Sequence, residues 1–163
     1  MNNNMFEVEA ISDKTRPFIN GQIAESWAGP VIVSKGKLHD TREHSGFAAF
    51  DENTVAGYIL YRIENNECEI TVLESLRENQ GVGRALINAV IGAAKSAGRR
   101  RVWLITTNDN THAIRFYQKF GFSLKAVHID AIDESRKLKP QIPLTGFDGI
   151  PIKHEFEFEI TDL

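Results

Sequence analysis

A single cysteine, Cys68, in 163 residues excludes an internal disulfide framework. Lying in a strand-like run, it reads as a small buried hydrophobe and not as a nucleophile. No apolar run approaches membrane-spanning length, and the start MNNNMFEVEA lacks a positive region followed by an apolar core, so a cytoplasmic location without a membrane partner is expected. Neither sign of charge dominates: the formal net charge of -3 disfavours nucleic acid as a partner. Repeats, linkers and low-complexity tracts are missing too, and His39 and His44 lack a partner set for a metal, so no metal is expected. What remains is a chain with 42% hydrophobic residues, long enough to bury a sizeable core as one domain over residues 1–163.

Phe6, Val8 and Ala10 alternate with Glu7 and Glu9, which predicts an opening strand. A helical pattern follows from about Arg16 to Trp27, with Pro17 in its first turn and Gly29 and Pro30 ending it. Strands are predicted at Val31 to Val33, extending toward Leu38, then at Gly46 to Phe50, Val55 to Ile63 and Glu67 to Leu73. Leu86, Val90, Ala93 and Ala97 give the next helix an apolar stripe, with Gly98 as its C-terminal cap. VWLIT within Arg101 to Thr106 reads as a buried strand, and a second helix begins near Asn110. Ser123 to Ile129 predicts a strand, and Ala131 to Leu138 a short helix with Asp130 as its cap. In the last strand Phe156, Phe158 and Ile160 point one way and Glu155, Glu157 and Glu159 the other. Such an alternating strand serves a core or a homodimer equally well. The order predicts an α+β fold around a mixed central sheet.

The segment RENQGVGRALINAV places Gly81 and Gly83 at the start of an amphipathic helix. The first turn of a helix has backbone N–H groups without intrahelical partners and the positive end of the helix dipole, so it favours an anion. A nucleotide-hydrolysing loop would need a lysine and a hydroxyl after the last glycine, where Arg84 and Ala85 stand. A dinucleotide fingerprint would need a third glycine where Leu86 stands.

Downstream, NDNTHAIRFYQKFGF sets Asn110, Ala113, Tyr117, Gly121 and Phe122 in one short helix and its exit. With both motifs in this order, the chain resembles the GNAT superfamily of N-acetyltransferases from about Val55 through Phe122. The resemblance implies a mixed, mostly antiparallel sheet of about seven strands with helices on both faces. It also implies acetyl-coenzyme A as cosubstrate, with its pyrophosphate on the turn of Gln80, Gly81, Val82, Gly83, Arg84 and Ala85. The pantetheine arm would pair with the backbone of Val72 and Leu73, and Asn110 and Tyr117 would complete the donor site. Glu78 departs from the family turn, which has Gln or Arg at that place, and Ser75 replaces a common proline.

Acyl transfer to an amine needs a neutral nitrogen, although a free alkylamine has a pKa of about 10.4. A carboxylate, histidine or water chain must therefore take a proton. The resemblance points to Tyr117 as the acid for the departing thiolate, and the backbone N–H of Leu73 suits the oxyanion. Glu67 and Glu69 share one face of the strand leading to Leu73 and are the candidate bases, with His128 and Asp130 beyond them. Arg99, Arg100 and Arg101 read as a solvated turn or a ribose-phosphate contact, and Trp103 as core. The expected activity is N-acetylation of a small-molecule or protein amine. An acyl-coenzyme A binding module without efficient transfer is the rival, and a nucleotide-binding regulator the weaker third.

Overall fold

The computed structural model describes residues 6–163, so the part of the leader reading that rests on residues 1–5 falls outside it. The strands are β1 (Glu7–Ala10), β2 (Val31–Ser34), β3 (Lys37–Asp40), β4 (Ser45–Asp51), β5 (Thr54–Glu64), β6 (Glu67–Ser75), β7 (Arg101–Thr107), β8 (Ser123–His128) and β9 (Glu155–Thr161). The helices are α1 (Arg16–Ser26), α2 (Val82–Ser96), α3 (Thr111–Phe120) and α4 (Ala131–Leu138). Seven strands form one sheet in the order β1-β4-β5-β6-β7-β9-β8, and every neighbouring pair is antiparallel except β6 and β7. No helix among the described residues is long and apolar enough to cross a membrane.

Apolar alternation places a core on each face of the sheet. On one face Leu86, Ile87 and Val90 of α2 pack with Ile59, Ile70, Leu104 and Phe158, and Phe116 and Phe120 of α3 lean on the same cluster. On the other, Ile19 and Ile23 of α1 cover Tyr58, Leu60 and Val72. Cys68 is buried in the first core, where desolvation pushes its thiol up to about 12 and keeps it protonated. β9 lies between β7 and β8 with Phe158 in the core, so its alternation serves the core.

The predicted single strand from Val31 toward Leu38 is instead a hairpin, β2 paired with β3, forming its own small sheet. The chain reverses at Lys35 and Gly36, whose φ values of 48° and 76° suit a tight primed turn. Asp130 also differs from expectation. It stands at the start of α4 with a φ of 56° and makes no side-chain cap, while its N–H donates to His154 Nδ1 at 2.9 Å. Farther on, Arg136 donates to the carbonyls of Pro143 and Ile152 at 2.7 and 2.8 Å, pinning the loop between α4 and β9. The Lys139 ammonium ties α4 to the carbonyl of Val31 at 2.7 Å and to that of Trp27.

Gly57 sets how closely α2 approaches the sheet. A Cβ there would lie 2.5 Å from Val82 and 2.7 Å from the Glu74 carbonyl. Gly57→Ala is expected to destabilise the protein by about 1–3 kcal/mol through this overpacking. Thermal unfolding of the variant against the parent protein measures it; an unchanged midpoint would contradict the close approach.

Candidate active site

β6 and β7 run parallel but pair only from Cys68–Val102 to Ile70–Leu104. Beyond that rung β6 continues to Ser75 along β5, and β7 continues to Thr107 along β9. The two strands therefore part, and the edge of β6 carrying Val72 and Leu73 has no strand beside it. A bulge drives the parting: Tyr61 opposes Ile70 and Leu60 opposes Val72, so Thr71 is the extra residue. An extra residue bends its strand and disrupts the ladder there. It also shifts the alternation, for Cys68 and Ile70 face the α2 core whereas Val72 faces α1. The Thr71 hydroxyl shares a 2.7 Å hydrogen bond with Nδ1 of His44, which is 8% exposed.

The β6–α2 turn leads from this fork to the helix start. Leu76 N–H donates to the Ala56 carbonyl at 2.8 Å, fixing where the turn begins. Gly81 takes a φ of 86° as the N-cap of α2. The Ala85 N–H donates to the Gly81 carbonyl at 3.1 Å and is the first amide used inside the helix, which removes Ala85 from the anion-facing amides expected. Val82, Gly83 and Arg84 precede it. Gly83 also accommodates α3, because a Cβ would lie 2.9 Å from the Phe116 ring. Gln80 is exposed at the turn, as is Glu78, while Arg77 pairs with Asp51. The Arg84 guanidinium lies 5.0 Å over the Phe120 ring.

Asn110 begins α3, its side-chain oxygen accepting from the Ala113 N–H at 3.2 Å. Its first role is thus to cap the helix that carries Tyr117. Tyr117 is 9% exposed and packs among the rings of Phe116, Phe122 and Phe158, at centroid distances of 5.5, 5.6 and 6.2 Å. Burial pushes its phenol pKa up, so the hydroxyl stays protonated and is a proton donor, not a base, near neutral pH.

The opposite side of the fork is charged. Glu69 is 2% exposed and accepts from Ser34 Oγ at 2.6 Å on one oxygen and from Arg62 Nε at 2.8 Å on the other. Glu67 contacts Arg101 Nη1 through one oxygen at 2.9 Å. Arg101 is neither a solvated turn residue nor a phosphate contact: it also binds Glu157 and Glu159, each at 2.5 Å. Burial would raise the Glu157 carboxyl, but hydrogen bonds from His128, Arg101 and Lys35 hold it at about 2. His128 Nε2 lies 3.0 Å from Glu157, and Asp130 turns toward His154, so these two candidates belong to structural pairs. Trp103 is mostly buried, yet it faces this charged side and lines a cleft of about 220 Å³ with Ser34, Arg62, Glu67 and Glu69. Arg62, Ser34, Lys35 and the His44–Thr71 contact were missed from sequence. An arginine interrupting the run Val55 to Ile63 of β5 was the available signal; the others depend on how the hairpin folds back.

Residues 11–122 match the model of the acetyltransferase (GNAT) family. Two proteins of Bacillus subtilis (strain 168) are similar over most of their length. YdhI is 42% identical over 136 residues, covering 83% of this chain and 85% of its own. YxbD is 36% identical over 141 residues, covering 86% and 89%. The fold resembles a GNAT family acetyltransferase from Elizabethkingia anophelis with acetyl-CoA bound, at a TM-score of 0.73 and 16% identity over 98% of this chain and 99% of that one.

Two measurements test the polar side of the fork. Glu69→Ala strips a buried carboxylate from Arg62 and is expected to cost about 3 kcal/mol in urea unfolding; a loss below 1 kcal/mol would mean that the pair contributes little. Desolvation first, then the neighbouring His39 and Arg62, push His44 from 6.5 down to about 4. The unfolded chain therefore binds a proton that the folded protein refuses as pH falls through this window. Stability should drop between pH 6.5 and about 4 with a slope of up to about 1.4 kcal/mol per unit from this residue. His44→Gln should reduce that slope, and an unaltered stability profile would exclude His44 as its source.

Proposed function

The chain belongs to the GNAT acetyltransferase family, and from that we propose that it passes the acetyl group of acetyl-CoA directly to an amine, with no covalent enzyme intermediate. The observation carrying this reading is the fork: β6 and β7 part after Ile70–Leu104, beside the start of α2. An extended ligand arm can add to the free edge at Val72 and Leu73 as a strand would. A diphosphate at its end suits the amides of Val82, Gly83 and Arg84, with Gln80 and Gly81 forming the approach. Glu78 sits exposed at the turn, where solvent screens its charge. Solved neighbours holding CoA or acetyl-CoA support the same cosubstrate.

In this reading the acceptor nitrogen attacks the thioester carbon, an N–C bond forms and the C–S bond breaks. The Leu73 N–H stabilises the oxyanion. Tyr117 gives its proton to the departing thiolate, the amine loses one to water or a carboxylate, and a proton returned from there restores the phenol, yielding an amide and free CoA. Both oxygens of Glu69 already accept hydrogen bonds, one of them from a guanidinium, which disfavours it as that carboxylate. Glu67 meets Arg101 through one oxygen and is more exposed, so it is the better of the two proton acceptors.

Tyr117→Phe keeps the ring packing and removes the donor. It is expected to lower kcat about 100- to 10,000-fold while acetyl-CoA binding persists, read as amine-dependent release of CoA thiol beside a calorimetric titration. Undiminished turnover would remove Tyr117 from the proton transfer. Acetyl-CoA binding with no thiol release across primary amines would favour a binding module over a transferase.

A further inference from the structure

The sheet face beneath the β2–β3 hairpin carries five carboxylates, Glu67, Glu69, Glu155, Glu157 and Glu159, against two guanidiniums, Arg62 and Arg101. Three of them, Glu69, Glu155 and Glu157, are buried, and a buried carboxylate is neutralised by a proton or by a further cation. The hairpin brings one, because the Lys35 ammonium reaches down to 3.1 Å from Glu157 and lies 5.0 Å over the Trp103 ring. A carboxylate beside an indole face is a seat for an alkylammonium. Lys35 holds that seat loosely. Its side chain is 43% exposed, and its hairpin shares no ladder with the main sheet, so it can withdraw without breaking one.

A second observation points the same way. Glu155 is 2% exposed, yet no ammonium or guanidinium pairs with it among the described residues. Its carboxylate receives a long 3.4 Å hydrogen bond from the Lys35 N–H and lines a second cleft of about 280 Å³ beside His128. Lys35 borders both this cleft and the one over Trp103 and Glu69, so the two meet at its side chain as one trough; in the Trp103 cleft Glu64, Glu67 and Glu69 are balanced by Lys35, Lys37 and Arg62, and withdrawal of Lys35 leaves one carboxylate in excess.

The trough adjoins the reacting region. Trp103 and Glu69 are partners one rung before the strands part. Only two residues of strand, about 7 Å, separate Glu69 from the bulge at Thr71. A ligand anchored at Trp103 thus extends its other end to the fork, and the hairpin roof favours a small molecule over a folded protein.

We propose that this trough is the acceptor subsite for a small amine bearing a second ammonium group, and that Lys35 occupies the second ammonium's seat until the acceptor displaces it. The proposal rests on the transferase reading and names its acceptor class. Calorimetric titration of the full-length protein, saturated with CoA, compares 1,4-diaminobutane with n-butylamine, which lacks the second charge. The diamine is expected to bind at least 10-fold more tightly. Lys35→Met, and Lys35→Gln as a second variant, should tighten diamine binding several-fold, while Glu157→Gln should abolish the preference. Equal affinity for the two amines, or diamine affinity indifferent to both Lys35 variants, would overturn the proposal. A parallel acetyl-CoA titration separates the two failures: binding of acetyl-CoA without a diamine preference refutes the acceptor seat alone, and no binding of acetyl-CoA refutes the transferase reading beneath it.

Discussion

The parting of β6 from β7 is the constraint on which the rest of the molecule depends. Two parallel strands that pair for three rungs, Cys68–Val102 to Ile70–Leu104, and then separate leave backbone donors and acceptors in the middle of a sheet. Such groups are costly unless something pairs with them. The remaining elements hold the fork open. β5 stays paired with β6 to Ser75, β9 stays paired with β7 to Thr107, and Thr71 takes up the added length as a bulge. His44 anchors that bulge through its hydroxyl, and its own burial keeps the imidazole neutral there.

The fork also divides the molecule by charge. At one end, the first turn of α2 presents amides and the positive end of a helix dipole. Across the sheet, carboxylates from β6 and β9 gather around Arg62, Arg101 and Lys35. The two ends thus present fields of opposite sign, and each field sits on rigid elements. α3 packs beside the amide end, since Asn110 caps it, Phe116 fills the space left by Gly83, and Tyr117 is buried between Phe122 and Phe158.

Strong local signals marked α2 and α3, which carried the family resemblance, and also β9, which did not. α2 follows a 3.6-residue stripe from a glycine cap, α3 begins at a capping asparagine, and β9 alternates along its length. The hairpin was less legible, because the apolar run of Val31 to Val33 masks a turn that only the positive φ of Lys35 and Gly36 reveals. Asp130 shows a similar limit: its place before α4 suits a cap, but the neighbouring His154 from a distant segment captures it.

Local chemistry by itself determined the turn into α2 and the capped start of α3, since a glycine-flanked helix start with free amides and a following helix with its capping asparagine lie within one continuous stretch of chain. It also determined which residues alternate on β9, whereas on β6 the bulge at Thr71 shifts the alternation. The partners of those residues were decided only in three dimensions. Glu69 meets Ser34 and Arg62, Arg101 meets three glutamates, and Lys35 lies over Trp103 because the sheet places distant strands side by side and the hairpin folds across them. Periodicity reports which face a side chain takes, whereas ion pairing depends on which strand lies opposite, and that is a property of the assembled sheet.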